Sequence, residues 1–189
     1  KAEALVRNLP GFSRFLPVAG LFHGQVVNAA NIAREAEVGR TTVAGYLEIL
    51  EDTMLAFRVP AFDPGLRVRE RRHPKLYWCD AGLARALTRQ RGEVPDRERG
   101  VLFEGLVAMV LRAHRDYHYA FDDMAWWAPA TAVNTEVDFV LSRGRRHIAI
   151  EVKAVSRVGA EHCRGLRAIR ELPGLQRRQA GLHLTHQAL

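Results

Sequence analysis

The sequence predicts a mixed α/β protein, of α+β type, built from two successive units: a helical unit carrying a β-hairpin, then an αβββαβ core. Three observations predict it. Apolar residues recur at helical spacing between Asn28 and Glu51. Two short β-forming runs follow, with a basic stretch between them. Two later runs, Glu136–Leu141 and Ile148–Lys153, alternate apolar and polar residues with acids on the polar side.

The first unit is read as residues 1–90. Pro10, Gly11, Pro17 and Gly20 give its start only a weak helical pattern, over Phe12–Leu21. Asn28 is placed to cap a helix through about Ala36, with Ile32 and Ala33 inside. Gly39 breaks the pattern. A second helix runs from Arg40 or Thr41 to about Glu51, its buried side marked by Val43, Tyr46, Leu47 and Leu50. Two short helices joined at a glycine form a helix-turn-helix pattern. Strands are expected at Met54–Phe62 and Leu76–Cys79, the first interrupted by Pro60. Between them lie Arg67, Arg69, Arg71, Arg72 and Lys75 against one acid, Glu70. This is a winged-helix layout with a basic wing. Asp80 then caps a short helix, Ala81–Thr88.

Residues 91–99, within a polar stretch holding Gly92 and Pro95, are read as a linker. Residues 100–189 form the second unit. A helix over Gly100–His114 presents Val101, Leu102, Leu106, Val107, Val110 and Leu111 as a broad apolar face. Strands are expected at Ala125–Ala128, Glu136–Leu141 and Ile148–Lys153, the last two joined by a tight basic turn at Ser142–His147. A helix at Ala160–Leu172, stopped by Pro173 and Gly174, precedes a last strand at Gly181–Thr185.

Bulk properties narrow the function. Hydrophobic content of 48% and charged content of 26% suit a globular domain with a real core. The net charge of +7 favours a polyanionic partner, most simply nucleic acid; the plainer reading is a non-specific basic surface. Cys79 and Cys163 form no CxxC pair and no histidine stands at zinc spacing to them, which argues against a disulfide framework and fits a reducing cytoplasm. No apolar run reaches the ~20 residues a membrane span needs, so no membrane partner is expected. The sequence begins at Lys1 rather than Met and is read as part of a longer chain.

Strand alternation puts Val137, Phe139 and Leu141 on one face and Asp138 on the other. Likewise Ile148, Ile150 and Val152 share one face, and Glu151 and Lys153 the other, about 6–7 Å apart. If the two strands are antiparallel neighbours, Asp138 and Glu151 converge. Close carboxylates repel unless a cation sits between them. Mg²⁺ or Mn²⁺, taking hard oxygen ligands, would serve. A neighbouring lysine can stabilise charge growing on a phosphate. Glu104 interrupts an otherwise apolar helix face, between Phe103 and Leu106. The plainer readings are a solvated strand face with an ordinary ion pair for Glu151 and Lys153, a helix-edge carboxylate for Glu104, and Glu136 as either a surface residue or the second carboxylate.

This constellation resembles the PD-(D/E)xK nuclease superfamily. The resemblance rests on Glu104, Asp138 and the Glu151-Val152-Lys153 element, in matching order; Val137 stands where that motif has proline. It implies a restriction-endonuclease-like core following the winged helix. It also implies Asp138, Glu151 and the Val152 carbonyl as metal ligands, Lys153 as the catalytic lysine and Glu104 as an accessory carboxylate. From about residue 20 onward the chain also resembles the C-terminal region of a prokaryotic AAA+-type ATPase family of uncharacterised function. The carrying residues include Asn31-Ile32-Ala33, Tyr46–Glu51, Pro74–Tyr77 and Asp80–Leu83. That resemblance implies an ATPase domain upstream as a partner. No G-x-x-x-x-G-K-[ST] occurs in the 189 residues, so ATP is expected to bind only in that upstream domain.

Arg40, Thr41 and Thr42 open the second helix, where recognition helices place their contacts, with Thr42 alternatively a helix-start cap or part of the turn. Arg67, Arg69, Arg71, Arg72 and Lys75 would lie along phosphates. The expected function is therefore a DNA-associated fragment of an AAA+-type ATPase with a Mg²⁺-dependent, nuclease-like domain. The alternative is a catalytically silent module that binds DNA or regulates the ATPase, in a chain open to oligomerisation.

Overall fold

A computed structural model describes residues 6–63, 73–129 and 135–172, and the backbone of 180–182. Its elements run α1 (Leu9–Gly20), β1 (Gln25–Val26), α2 (Ala29–Glu35), α3 (Arg40–Asp52), β2 (Ala56–Val59), β3 (Lys75–Trp78), α4 (Ala81–Leu87), α5 (Asp96–His118), β4 (Asp123–Trp127), β5 (Val137–Arg143), β6 (Arg146–Ile150), a 3₁₀ turn at Ala160–Cys163, α6 (Arg164–Arg170) and β7 (Ala180–Leu182). The result is a mixed α/β molecule with two small sheets. One has order β1-β3-β2, all antiparallel; the other has order β4-β5-β6-β7, with only β6 and β7 parallel.

Capping chemistry sets the N-terminal helices. Asn8 accepts from the Gly11 N–H at 3.0 Å and starts α1, with Pro10 in its first turn, where no N–H is needed. Asn28 accepts from Ala30 and Asn31 to start α2, as expected, and Asp80 accepts from Leu83 to start α4. The expected buried side of α3 is observed: Val43, Tyr46, Leu47 and Leu50 pack with Phe15, Ala19, Ile32, Leu76 and Trp78.

β3 explains how the two sheets are joined. Strand alternation sends Leu76 and Trp78 into the α1–α3 core. Tyr77 goes the other way, with Phe57 and Val59 of β2, into a second core holding Ala108, Trp126, Phe139 and Leu141. The backbone also bridges: Trp126 donates to the Pro60 carbonyl at 2.9 Å, and its carbonyl accepts from the Phe62 N–H at 2.6 Å. The hairpin is thus buried on both faces at its base. A third cluster closes β5 from below, with Val137 and Val140 against Leu166 and Ile169 of α6. Coverage of both faces is why β5 lacks exposed alternate residues along Val137–Leu141.

Several expectations need correction. The 91–99 linker is partly helical, since α5 begins at Asp96; Arg85 fastens the segment by donating to the Gly92 and Glu93 carbonyls and pairing with Glu98. The broad apolar face of α5 is narrower than expected. Gly105 and Ala108 make the closest packing, while Leu106 and Val110 are exposed. β6 ends at Ile150, so Glu151–Lys153 lie beyond the strand, and Ile148 is exposed while His147 is buried. The basic turn reduces to Gly144 and Arg145, with Gly144 at φ +56°. β1 had no signal, being two residues long. Residues 183–185 of the expected last strand lie outside the described residues.

Candidate active site

Asp138 enters the site from β5. Phe139 faces Ile150 across the β5–β6 pair, so the next residues outward, Asp138 and Glu151, meet at the same end of the sheet. Asp138 is buried, and its Oδ2 accepts from the Val152 N–H at 2.8 Å. That bond takes over where the ladder stops and turns Glu151–Lys153 toward Asp138. Glu151 and Lys153 therefore converge on Asp138 from an irregular segment rather than from a strand face. Lys153 donates to Glu151 Oε1 at 2.5 Å, and its Nζ lies 4.0 Å from Asp138 Oδ2. The Glu151 side chain is 8% exposed, and its Oε2 is buried with no hydrogen-bond partner.

Glu104 arrives from α5. Its Oε1 accepts from the Tyr77 hydroxyl at 2.5 Å and from Lys75 Nζ at 3.0 Å. Lys75 corrects the expected wing. It is 3% exposed, and its ammonium lies 3.6 Å from Asp138 Oδ1 and 3.8 Å from Glu136 Oε1. It also stands 5.5 Å from the Trp126 ring centre. The physical reason is position: Lys75 sits on the central strand β3, between Val26 and Val59, on the face that carries Tyr77. It cannot lie along a phosphate backbone there.

The electrostatics follow from burial. Glu151 is raised to about 7, first by loss of solvent and then by the neighbouring Asp138 charge. Glu104 is raised for the same two reasons, against Lys75 and Tyr77, which pull it down. Burial lowers the Lys75 ammonium, but Glu104, Asp138 and Glu136 outweigh that and hold it above its ordinary value. Burial and Glu104 push the Tyr77 hydroxyl well up, so it remains a donor. Lys153 is likewise raised, as Asp138 and Glu151 outweigh its burial.

Four carboxylates, Glu104, Glu136, Asp138 and Glu151, thus face two ammoniums, Lys75 and Lys153. Fully ionised, the cluster holds an excess of negative charge in low dielectric. Asp138 with the unpartnered Glu151 Oε2 is a donor set that fits a hard divalent cation, which uses one or two carboxylates and completes its shell with water. Among the described residues, no three Asp, Glu, His or Cys groups converge at metal-holding distance. Lys75 stands between Glu104 and Asp138 instead.

Beside the cluster, a cleft of about 470 Å³ opens between the α1–β1 connection and the second unit, lined by Phe22, Gln25, Glu35, Lys75, Glu104 and Glu136. Gly24, at φ +67°, makes the turn that borders it; a side chain there would collide with Val101.

Of the expected DNA contacts, Arg40 and Thr41 are exposed at the start of α3 and Thr42 is half-buried, with Gly39 in the capping position. Arg67, Arg69, Arg71 and Arg72 lie outside the described residues. The sequence reading missed Tyr77 and misplaced Lys75. Their i, i+2 spacing on one strand was the available signal.

These features define a mixed α/β protein with a buried carboxylate–lysine cluster where its two sheets meet. Residues 1–93 match a domain of unknown function, DUF8612, and residues 99–188 match another, DUF4143. The chain is also 30% identical over 142 residues to an uncharacterised protein of Mycobacterium tuberculosis, and equally to one of Mycobacterium bovis. Each alignment covers 71% of this chain and 30% of the relative, so the chain spans under a third of those proteins. No solved structure matches. No helix among the described residues is long and apolar enough to cross a membrane.

Proposed function

We propose that the chain is a DNA-associated fragment of an AAA+-type ATPase whose second unit is a restriction-endonuclease-like, divalent-metal-dependent phosphodiesterase. The observation that carries this reading is the convergence of Asp138, Glu151 and Lys153, with Glu151 Oε2 buried and unpartnered. The α5-β4-β5-β6-α6-β7 order supports it, as does the arrival of Glu104 from the first helix of that series. The α1-β1-α2-α3-β2-β3 order supports a winged helix in the first unit. The +7 charge, with Arg40 and Thr41 exposed at the start of α3, supports DNA as the partner.

In this reading Asp138 and Glu151 would hold Mg²⁺ or Mn²⁺, with the Val152 carbonyl as a third ligand. The ion supplies Lewis-acid polarisation of the phosphate. Asp138 fixes the segment through the Val152 N–H, which holds Glu151 beside it. Lys153, a third exposed and paired with Glu151, would stabilise charge growing on the phosphate oxygens. Glu104 acts through its partners, holding Lys75 and Tyr77.

One observation favours a second reading. Lys75 already gives the carboxylates a cation, which suits a silent module that binds DNA or regulates its ATPase.

The test is cleavage of labelled single- and double-stranded DNA in Mg²⁺, Mn²⁺ or EDTA, by wild type, Asp138→Ala and Lys153→Ala. Cleavage that needs metal and vanishes in both variants supports the enzyme. Salt-sensitive DNA binding without cleavage supports the silent module.

A further inference from the structure

The first unit reaches into the candidate site of the second. β3 is the middle strand of its sheet, paired on both sides at Lys75, so the backbone there is fixed. The side chain is nearly sealed from water. Its ammonium lies within 4 Å of three carboxylates drawn from α5, β5 and the residue preceding β5. A cation so placed neutralises Asp138, the carboxylate that the proposed metal site shares with Glu151. Its ammonium also lies over the Trp126 ring, and β1 and β2 hold its strand on both sides.

We infer that Lys75 is the site's built-in counter-cation, and that its ammonium and a divalent ion compete for the carboxylate of Asp138. The first unit thereby sets how tightly the second binds metal. This rests on the proposed metal site and adds its regulation: the positive charge that the first unit holds against Asp138 lowers the affinity of that site for metal. Like charges in low dielectric repel strongly, so a metal ion beside a fixed ammonium is bound weakly.

The experiment is calorimetric titration of the full chain with MnCl₂, using wild type, Lys75→Met and Lys75→Arg. Methionine keeps the stem and removes the charge; arginine keeps the charge. The inference expects Lys75→Met to bind Mn²⁺ about tenfold or more tightly than wild type, and Lys75→Arg to bind no more tightly than wild type. Binding by Lys75→Met alone also supports it. Equal or weaker binding by Lys75→Met, with wild type binding normally, overturns the competition and leaves the metal site standing. Absence of binding in all three overturns both. Melting curves guard against a folding defect. Lys75→Met should melt lower than wild type in EDTA and recover in MnCl₂; a variant that stays unfolded in MnCl₂ contradicts the inference.

Discussion

Lys75 Nζ and Tyr77 Oη both donate to a single oxygen, Oε1 of Glu104, which ties the central strand of the first sheet to the long helix of the second unit. The tie crosses the boundary between the two matched domains, so the halves share one polar anchor as well as one apolar core. Glu104→Ala leaves Lys75 buried with only its longer partners, Asp138 and Glu136. Urea unfolding should show a loss of about 3 kcal/mol, the scale for orphaning a buried charge. The Glu104→Gln, Lys75→Met double variant should regain part of it, because both charges are then gone.

Lys153 should separate binding from chemistry. It pairs with Glu151 and is the more exposed of the cluster's two lysines. Lys153→Ala is expected to slow cleavage by about 10²–10³, the usual cost of losing one charge-stabilising donor. Mn²⁺ affinity should hold or tighten, since a positive neighbour is removed. Rates and calorimetry on the same preparation check both halves.

His23 predicts an acid-sensitive fold. Its ring is buried, with Nδ1 accepting from the Trp78 N–H at 3.2 Å and Nε2 unpartnered against Gly105. Burial lowers its pKa from 6.5 to about 4, against a smaller upward pull from Asp80. The unfolded chain therefore binds the proton more readily, and stability falls as pH drops through that window. The loss between pH 7 and pH 5 should be about 2 kcal/mol. Glu104 and Glu151, raised in the fold, slope the opposite way, so the measurement is the difference between wild type and His23→Asn. That variant keeps an acceptor for Trp78, and its stability should lack the His23 contribution.

Gly165 is required by close approach. A Cβ there would stand 1.7 Å from the Glu136 carbonyl oxygen, which belongs to backbone leading into β5. Gly165→Ala should push α6 off the start of β5 and cost about 3 kcal/mol or more. Thermal melting checks the loss.

The amphipathic helices and their caps were legible because Asn28, Asp80 and the Val43–Leu50 pattern act locally. Asp138 and Glu151 were legible because strand alternation and a short turn fix their register. The bend after Ile150 was not, since it depends on the Asp138 side chain capturing the Val152 N–H. Lys75 was misread for a similar reason. In sequence it continues an arginine run, and only the packing of one half on the other buries it. Leu106 and Val110 looked like core because α5 has more apolar residues than its buried face uses.

The proposed function depends on Asp138 and Glu151 forming a divalent-cation site. Electron paramagnetic resonance of Mn²⁺ titrated into wild type and Asp138→Asn tests it most directly, because the variant keeps the side-chain oxygen that accepts from Val152. Bound Mn²⁺ is expected in wild type, with its loss, or weakening by at least about tenfold, in Asp138→Asn. No bound Mn²⁺ in wild type, or equal binding in the two proteins, would contradict it.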